Sequence, residues 1–506
     1  VKAISGLVTD VTGEPVIGAS VVEVGTTNGV ITDLNGKFSL KVAPNSQFLV
    51  SYIGYKQQTI KVGSESTYNI VLKEDAEVLD EVVVVGYGSQ KKVNVTGAVG
   101  MVSAEALEAR PVANASQALQ GVVPGLNLTV GNNGGALDGT LNMNIRGAGT
   151  IGDGSGSSPL VLIDGIEGDL NTVNPNDIES VSVLKDAASA SIYGARASFG
   201  VILVTTKSGK SGKTNVSYSG SARFSDAIGI PDIMDSYTFA QYFNRASANK
   251  GGGDIFAPAV MERIKAYQEG TLKATTVDNG AGIWQKWANA NGNTDWFEEF
   301  YDHWAPSQEH NLSINGGTDK TQYLISGSFL DQKGLMRHGS DKFQRYTLNG
   351  KITTAVTDWF KVTYSTKWTR EDFERPTYLT GSFFHNLARK WPVHPAYDPN
   401  GFPMDEGEVE QMENGGKQNS QKDFYTNQLQ LVFEPIKNWK INLEGSVRTT
   451  TQYQHWEVLP VYAYNVDGDP YYTVWDMGYG SYAAGSSRVN EYSWKENYYT
   501  TNIYSD

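Results

Sequence analysis

Several short stretches of this 506-residue chain carry residue types that do chemistry in other proteins. Gly147-Ala148-Gly149-Thr150-Ile151-Gly152 has the glycine spacing of a dinucleotide-binding turn, whose backbone meets a pyrophosphate at a helix N-terminus. A Gly- and Ser-rich loop follows where that helix should begin, so nucleotide binding is not expected. Gly209-Lys210-Ser211-Gly212-Lys213-Thr214 looks like the end of a phosphate loop, but Lys207 stands at the required first glycine and a strand pattern follows. It reads as a linker. Asn465-Val466-Asp467-Gly468-Asp469 offers oxygen ligands to a divalent cation, and Asp33-Leu34-Asn35-Gly36 superficially resembles a calcium loop. A plain turn is the favoured reading of both. None of the six His lies in metal-ligand spacing or a nucleophile elbow, and with no Cys there is neither a thiol nucleophile nor a thiolate metal site. No catalytic residue, metal or cofactor is expected.

Two features suit binding better than catalysis. Trp284, Trp287, Trp391, Trp456 and Trp475 fall in long stretches between strand patterns, where their faces either stack on sugar rings or pack a loop core. Packing is the favoured reading. The second feature is Asp80-Glu81-Val82-Val83-Val84-Val85-Gly86-Tyr87, in which four consecutive valines favour an extended strand beside a charged linker. A free strand of this kind is an aggregation hazard unless a partner takes it, and an extended peptide can be gripped by adding it to a partner's sheet edge. The alternative is a buried strand of the domain that follows.

The elements that must position these residues are mainly strands. Gly (54) and Tyr (27) are frequent and charged residues make up only 19%, a balance that suits strands and turns. The net charge of −14 argues against a nucleic-acid partner, because phosphate binding needs clustered Lys and Arg. No apolar run is long enough for a helical membrane span, and Val1 to Gly6 show no signal-peptide pattern. Residues 1–74 read as short strands broken by turns, a small β-sandwich, and residues 75–90 as a linker holding the valine run. Residues 91–210 read as an α/β unit. There Asn114 caps a short helix through Leu119 with Gly121 closing it, and Asp186 caps Ala187 to Tyr193 with Gly194 at the left-handed position. Its strands are predicted at Asn142 to Arg146, Leu160 to Ile163, Ile178 to Leu184 and Val201 to Thr205.

Residues 211–506 alternate apolar and polar over about eight strands of about 9–13 residues. Val216, Tyr218, Ala222 and Phe224 alternate with Asn215, Ser217, Ser219, Ser221 and Arg223, and Ile441, Leu443 and Val447 with Asn442, Glu444, Ser446 and Arg448. Connections are strictly short, then long, the pattern of an outer-membrane barrel with short turns on one side and long loops on the other. Tyr346, Trp359, Trp368, Trp439 and Trp494 near strand ends suit aromatic girdles. The long stretches also contain helix-like spacing at Ser236 to Asn249 and Pro258 to Glu269. A barrel of about eight strands is filled by its own side chains and leaves no room for the preceding α/β unit, so these strands are expected to be the first part of a larger, plugged barrel.

Around the valine run, Leu79 to Gly88 closely resembles the TonB box of SusC-like TonB-linked outer-membrane proteins of the Bacteroidetes. The leading sandwich is similar to a carboxypeptidase-regulatory-like domain through Asp33 to Phe38 and Ser51-Tyr52-Ile53-Gly54-Tyr55. The α/β unit resembles the plug domain through Gln117-Ala118-Leu119-Gln120-Gly121, Pro124-Gly125, Ile145-Arg146-Gly147, Pro159 to Gly165, Asp177 to Val181, Val183 to Ala187, Ile192 to Arg196 and Thr206 to Gly209. Asn293 to Trp296 and His310 to Thr318 resemble the family's first loop and second strand. Phe199 departs from the family, which usually has Asn there. The resemblance implies an N-terminal half of a transmembrane barrel set in outer-membrane lipid, importing a bulky nutrient, with a glycan favoured over a peptide. It implies TonB, driven by ExbB and ExbD, pulling on Asp80 to Tyr87, and a SusD-like surface lipoprotein over the outer loops. Within the plug, Arg146, Asp164, Glu179, Lys185, Asp186, Tyr193 and Arg196 are the candidates for holding it in place. A surface receptor that binds without transporting is the competing reading.

Overall fold

The computed structural model describes residues 2–26, 28–44, 46–52, 55–73, 82–85, 88–91, 98–108, 110, 112–130, 137, 141–147, 158–473, 475–476, 481–482 and 485–505. It divides into two compact units, Val1–Thr96 and Gly97–Asp506.

In the first unit, Lys2–Thr9 pairs with Lys37–Val42 and Thr67–Val71, and a second sheet joins Gly29–Ile31, Ser20–Glu23, Gln47–Ser51 and Gln58–Lys61. The strict alternation of Lys37–Val42 sends Phe38, Leu40 and Val42 inward. They meet Phe48 and Val50 of the other sheet, giving the sandwich that the spacing predicts. The Asp33 carboxylate accepts the amides of Asn35 (2.9 Å) and Lys37 (2.8 Å) with Gly36 at φ 72, so this stretch is a hairpin turn. Val82–Val85 pairs antiparallel with Gly88–Lys91 as a two-stranded ribbon. Asp80, Glu81, Gly86 and Tyr87 lie outside the described residues.

The second unit starts with a five-stranded mixed sheet in the order Val99–Ser103, Ile178–Leu184, Val201–Thr206, Leu160–Ile163, Ile166–Glu167. Helix Ala115–Leu119 packs Ala118 and Leu119 onto Ile178, Val181, Ile202 and Val204 of that sheet. Asn114 caps it by accepting the Gln117 amide, and Gly121 follows at φ 73. Asp186 accepts the Ser189 amide at 2.7 Å as expected, but the α-helical turn it caps ends at Ala190. The chain continues as a 3₁₀ stretch, Ser191–Ala197, interrupted at Gly194. Gly194 does have positive φ (65), yet its ψ of −154 is extended, so it breaks the helix without forming a left-handed cap.

Eight antiparallel strands then follow in chain order: Gly212–Ser225, Ala305–Gly317, Thr321–Lys333, Lys342–Thr357, Phe360–Pro376, Lys417–Ile436, Trp439–Val458 and Arg488–Ser505. All eight predicted strands are present, at 13 to 20 residues, and six of them exceed the expected length. The extra length lies mostly towards the long connections, as in Lys417 to Asp423, where both faces are polar and the alternation that marks a strand fades.

The sheet is inverted relative to a water-soluble protein. Its apolar side chains point outward, with Ile503 71% and Leu348 54% exposed, while Ser326, Thr347, Ser365, Thr369, Asn442, Ser446 and Thr450 are buried on the other face. Such a surface is stable only against hydrocarbon, as in a transmembrane barrel wall. Trp359 and Trp439 are exposed at the short-turn ends, where a girdle belongs. Trp494 instead points inward and donates to Gln452 Oε1 at 2.8 Å.

The long connections 226–304, 334–341, 377–416 and 459–487 pack on one another. Trp296 and Phe300 from the first, Met336 from the second, Phe383, Leu387, Val409 and Met412 from the third and Val461 from the fourth share one apolar core. Helices Ser236–Asn249 and Pro258–Gln268 form where the spacing predicts them, the first capped by Asp235 at the amides of Tyr237 and Thr238.

Candidate functional site: the plug against the barrel wall

The barrel wall holds the α/β unit by side chains reaching from successive strands to a single stretch of it. The stretch begins at a two-residue turn between Leu160–Ile163 and Ile166–Glu167, where Asp164 (φ 49) and Gly165 (φ 83) both take the left-handed backbone of a type I′ hairpin. That turn aims the Asp164 carboxylate two ways. It accepts the Thr206 amide (2.9 Å) and hydroxyl (2.6 Å) within the plug, and it pairs with Lys367 of the fifth strand. Burial alone would raise this carboxyl, but Lys367 and Lys351 outweigh it and hold it well below the usual carboxylate range. Gln428 of the sixth strand donates to the Asp164 carbonyl at 3.0 Å.

Further along, Arg448 of the seventh strand donates to the Glu167 carbonyl, and Thr369 of the fifth to the Thr172 carbonyl. Arg345 of the fourth strand, only 2% exposed, donates to the Asn171 carbonyl (2.9 Å) and across to that of Ala113 (2.6 Å). Asp177 ends the run, accepting Ser326 at 2.7 Å and Asn349 at 2.6 Å from two adjacent strands. Burial pushes the Asp177 carboxyl up, against the pull of these hydrogen bonds and of Lys207. The contact is polar and porous: two cavities of about 300 and 330 Å³ lie between plug and wall, the first beside Lys207, Lys367 and Arg448, the second beside Arg345 and Glu371.

The seven plug candidates divide. Asp164 touches the wall, and Arg196 pairs with Glu167 at 2.9 Å while approaching the Tyr498 hydroxyl of the eighth strand at 3.4 Å. Lys185 donates to the Pro124 carbonyl and Asp186 accepts the Ala98 amide, so both brace the plug internally. Arg146 stands at a positive φ (61) with its amide on the Gly125 carbonyl. Glu179 is exposed and Tyr193 half-buried. Sequence reasoning missed Arg345, Lys367 and Arg448. The available signal was their position on the polar face of a transmembrane strand, where a charge is costly unless it meets protein or water.

The tryptophans mostly pack. Trp391 sits among Phe239, Phe243 and Phe256, and Trp287 stacks on His394 at 4.5 Å with its ring nitrogen on Glu406. Burial holds His394 neutral, its pKa pushed down to about 3. Trp456 lies under Arg488 at 5.6 Å, and Trp284 is half-buried in a bridge with Asp278. The side chain of Trp475 lies outside the described residues. Asn465 accepts the Asp469 amide at 2.8 Å, closing a turn between Tyr462–Tyr464 and Pro470–Tyr472.

Residues 91–201 match the TonB-dependent Receptor Plug Domain, and residues 4–84 match the CarboxypepD_reg-like domain. Over 355 residues, 68% of this chain and 31% of the relative, the sequence is 36% identical to the TonB-dependent receptor SusC of Bacteroides thetaiotaomicron. The chain belongs to the SusC-like TonB-dependent receptors. A second relative, the TonB-dependent receptor P39 of Formosa agariphila, is 32% identical over 77% of this receptor chain and 34% of its own length. The chain thus spans about a third of the length of the curated relatives it matches. Among solved structures, the RagAB peptide importer in its open-open state superposes with a TM-score of 0.61 at 26% identity, covering 75% of this chain and 43% of the other. These receptors are outer-membrane proteins of Gram-negative bacteria, in keeping with the lipid-facing polarity of the sheet.

Proposed function

We propose that this receptor imports a bulky nutrient across the outer membrane by TonB-dependent displacement of its plug. The carrying observation is the chemistry of the plug contact. Among the described residues, barrel side chains hold the plug through hydrogen bonds to backbone carbonyls and to the Asp177 carboxylate and through an ion pair at Asp164, beside two cavities. Water can replace such contacts at far lower cost than it can replace a packed apolar core, so a pull on the chain can release the plug without unfolding the barrel. The pull would be applied by TonB, powered by ExbB and ExbD, to Asp80 to Tyr87, by adding the valine run to a sheet edge of the partner. A SusD-like lipoprotein would cover the packed outer connections. The family resemblance favours a glycan as cargo. A peptide is the second reading, supported by the name of the RagAB importer.

Val83→Pro in the full-length receptor tests this reading. Proline removes a backbone donor from the paired segment, so energised uptake of labelled ligand should be lost while surface binding and outer-membrane protein level persist. Deleting Glu81 to Tyr87 should give the same result. Normal uptake in the proline variant would refute the coupling role, and loss of all three readouts would mean that the segment is a structural strand.

A further inference from the structure

His338 lies on the second long connection, 334–341, with its side chain only 7% exposed. Each of its ring nitrogens faces a different carboxylate: Nδ1 is 2.7 Å from Glu413 Oε1 and Nε2 is 3.0 Å from Glu299 Oε1. Glu299 belongs to helix Trp296–Phe300 of the first connection and Glu413 to helix Val409–Asn414 of the third. A neutral imidazole has one N–H, so one of these contacts would set a lone pair against an anion; only the imidazolium donates to both. Phe300 packs edge-on against the ring at 5.5 Å, closing it from water.

We propose that His338 is a proton-held clasp, which tightens three of the four long connections into one outer cap and loosens that cap when the ring loses its proton.

The other groups around the site fit this assignment. Tyr397 hydrogen-bonds Glu299 and is pushed up to about 12 by burial and by Glu299 and Glu413, so it stays neutral throughout. Arg337 lies close enough to favour the charged form of Glu299, and it donates to the Tyr301 carbonyl at 3.1 Å. Burial by itself would lower the His338 pKa, but Glu299 and Glu413 outweigh it and raise it. A folded-state pKa raised above the unfolded one gives stabilisation that is complete below the unfolded value and lost as pH rises through the folded value. The clasp is therefore closed in mild acid and opens in base. His303 repeats the arrangement inside the first connection, between Asp226 (3.0 Å) and Glu298 (3.2 Å), but it is exposed and spans one connection only.

The test uses the full-length receptor in detergent with ¹³C-labelled histidine, alongside H338Q and E413Q. The His338 resonance, identified by its absence in H338Q, should titrate above the ordinary His value of about 6.5. E413Q should lower that midpoint. Hydrogen exchange at 296–300, 334–341 and 409–414, corrected for intrinsic rates, should be faster at about pH 9 than at about pH 6, the direction that linkage to a raised pKa requires. In H338Q it should be fast and flat with pH. A midpoint at or below the ordinary value, pH-independent protection in the native receptor, or an unchanged pH dependence in H338Q would each overturn the proposal. Should H338Q fail to fold, E413Q decides: a midpoint that does not fall overturns it.

Discussion

Arg345 offers the sharpest test of how the plug is held. Its guanidinium is buried in the fourth strand and donates to two plug carbonyls, Asn171 at 2.9 Å and Ala113 at 2.6 Å, which belong to segments far apart in sequence. In Arg345→Met the side-chain volume is largely kept while both donors vanish, leaving two carbonyls without their partner. Each orphaned acceptor costs about 1–3 kcal/mol, and relief from keeping a guanidinium dry offsets part of the sum. The plug should therefore be loosened by about 2–4 kcal/mol. If the plug opens as a sub-global unit, exchange of amides in 112–119 and 170–173 should rise about 30- to 700-fold, since about 1.4 kcal/mol is a factor of ten. The measurement is hydrogen exchange on the full-length receptor in detergent, with amides of the barrel strands as internal control. Arg345→Lys, whose ammonium cannot span both acceptors as a planar fork does, should fall between. Unchanged exchange in both plug segments, or loss confined to the barrel strands, would refute the clamp.

Asp186→Ala should cost the plug about 1 kcal/mol through the lost cap, and because the same carboxylate also accepts the Ala98 amide, exchange should rise at 98–100 as well as across 187–194. Acid should test the Asp164 pair. Its carboxyl is held below the usual range, so its contribution is present above the unfolded value and lost only as pH falls through the lower folded one. Plug protection against protease should thus survive at about pH 4 and fail in stronger acid, whereas Asp164→Asn should already be weakened at neutral pH and show a flatter acid response.

Much of the architecture was legible because lipid, water and plug impose opposite demands on alternate residues. Ile441, Leu443 and Val447 against Asn442, Ser446 and Arg448 give a period of two that no helix tolerates, and short turns such as that between Ile436 and Trp439 fix which end is which. Caps were legible where a single side chain meets a single amide, as at Asn114 and Asp186. What the spacing hid were properties set by distant partners. The strand extensions above the membrane are wet on both faces and carry no alternation, so Lys417 to Asp423 looks like loop. Trp494 looks like a girdle residue by type, yet its parity turns it towards Gln452. Arg345 and Asn171 are brought together only by docking of the plug, which local pattern does not encode. The same holds for His338, Glu299 and Glu413, which come from three different connections.

The sixth and seventh strands are longer than a bilayer requires. A strand of 20 residues runs about 66 Å along its own axis, and at a tilt of about 40° it climbs about 50 Å, against an apolar band about 25 Å tall. Because Trp359 and Trp439 mark the boundary near the short turns, nearly all of the excess rises on the other side. The sixth and seventh strands therefore stand on the order of 25 Å above the hydrocarbon. Their upper ends are ribbed by backbone ladders and lead into the packed long connections. The packed long connections are thereby carried clear of the lipid headgroups on a stiff, hydrogen-bonded edge.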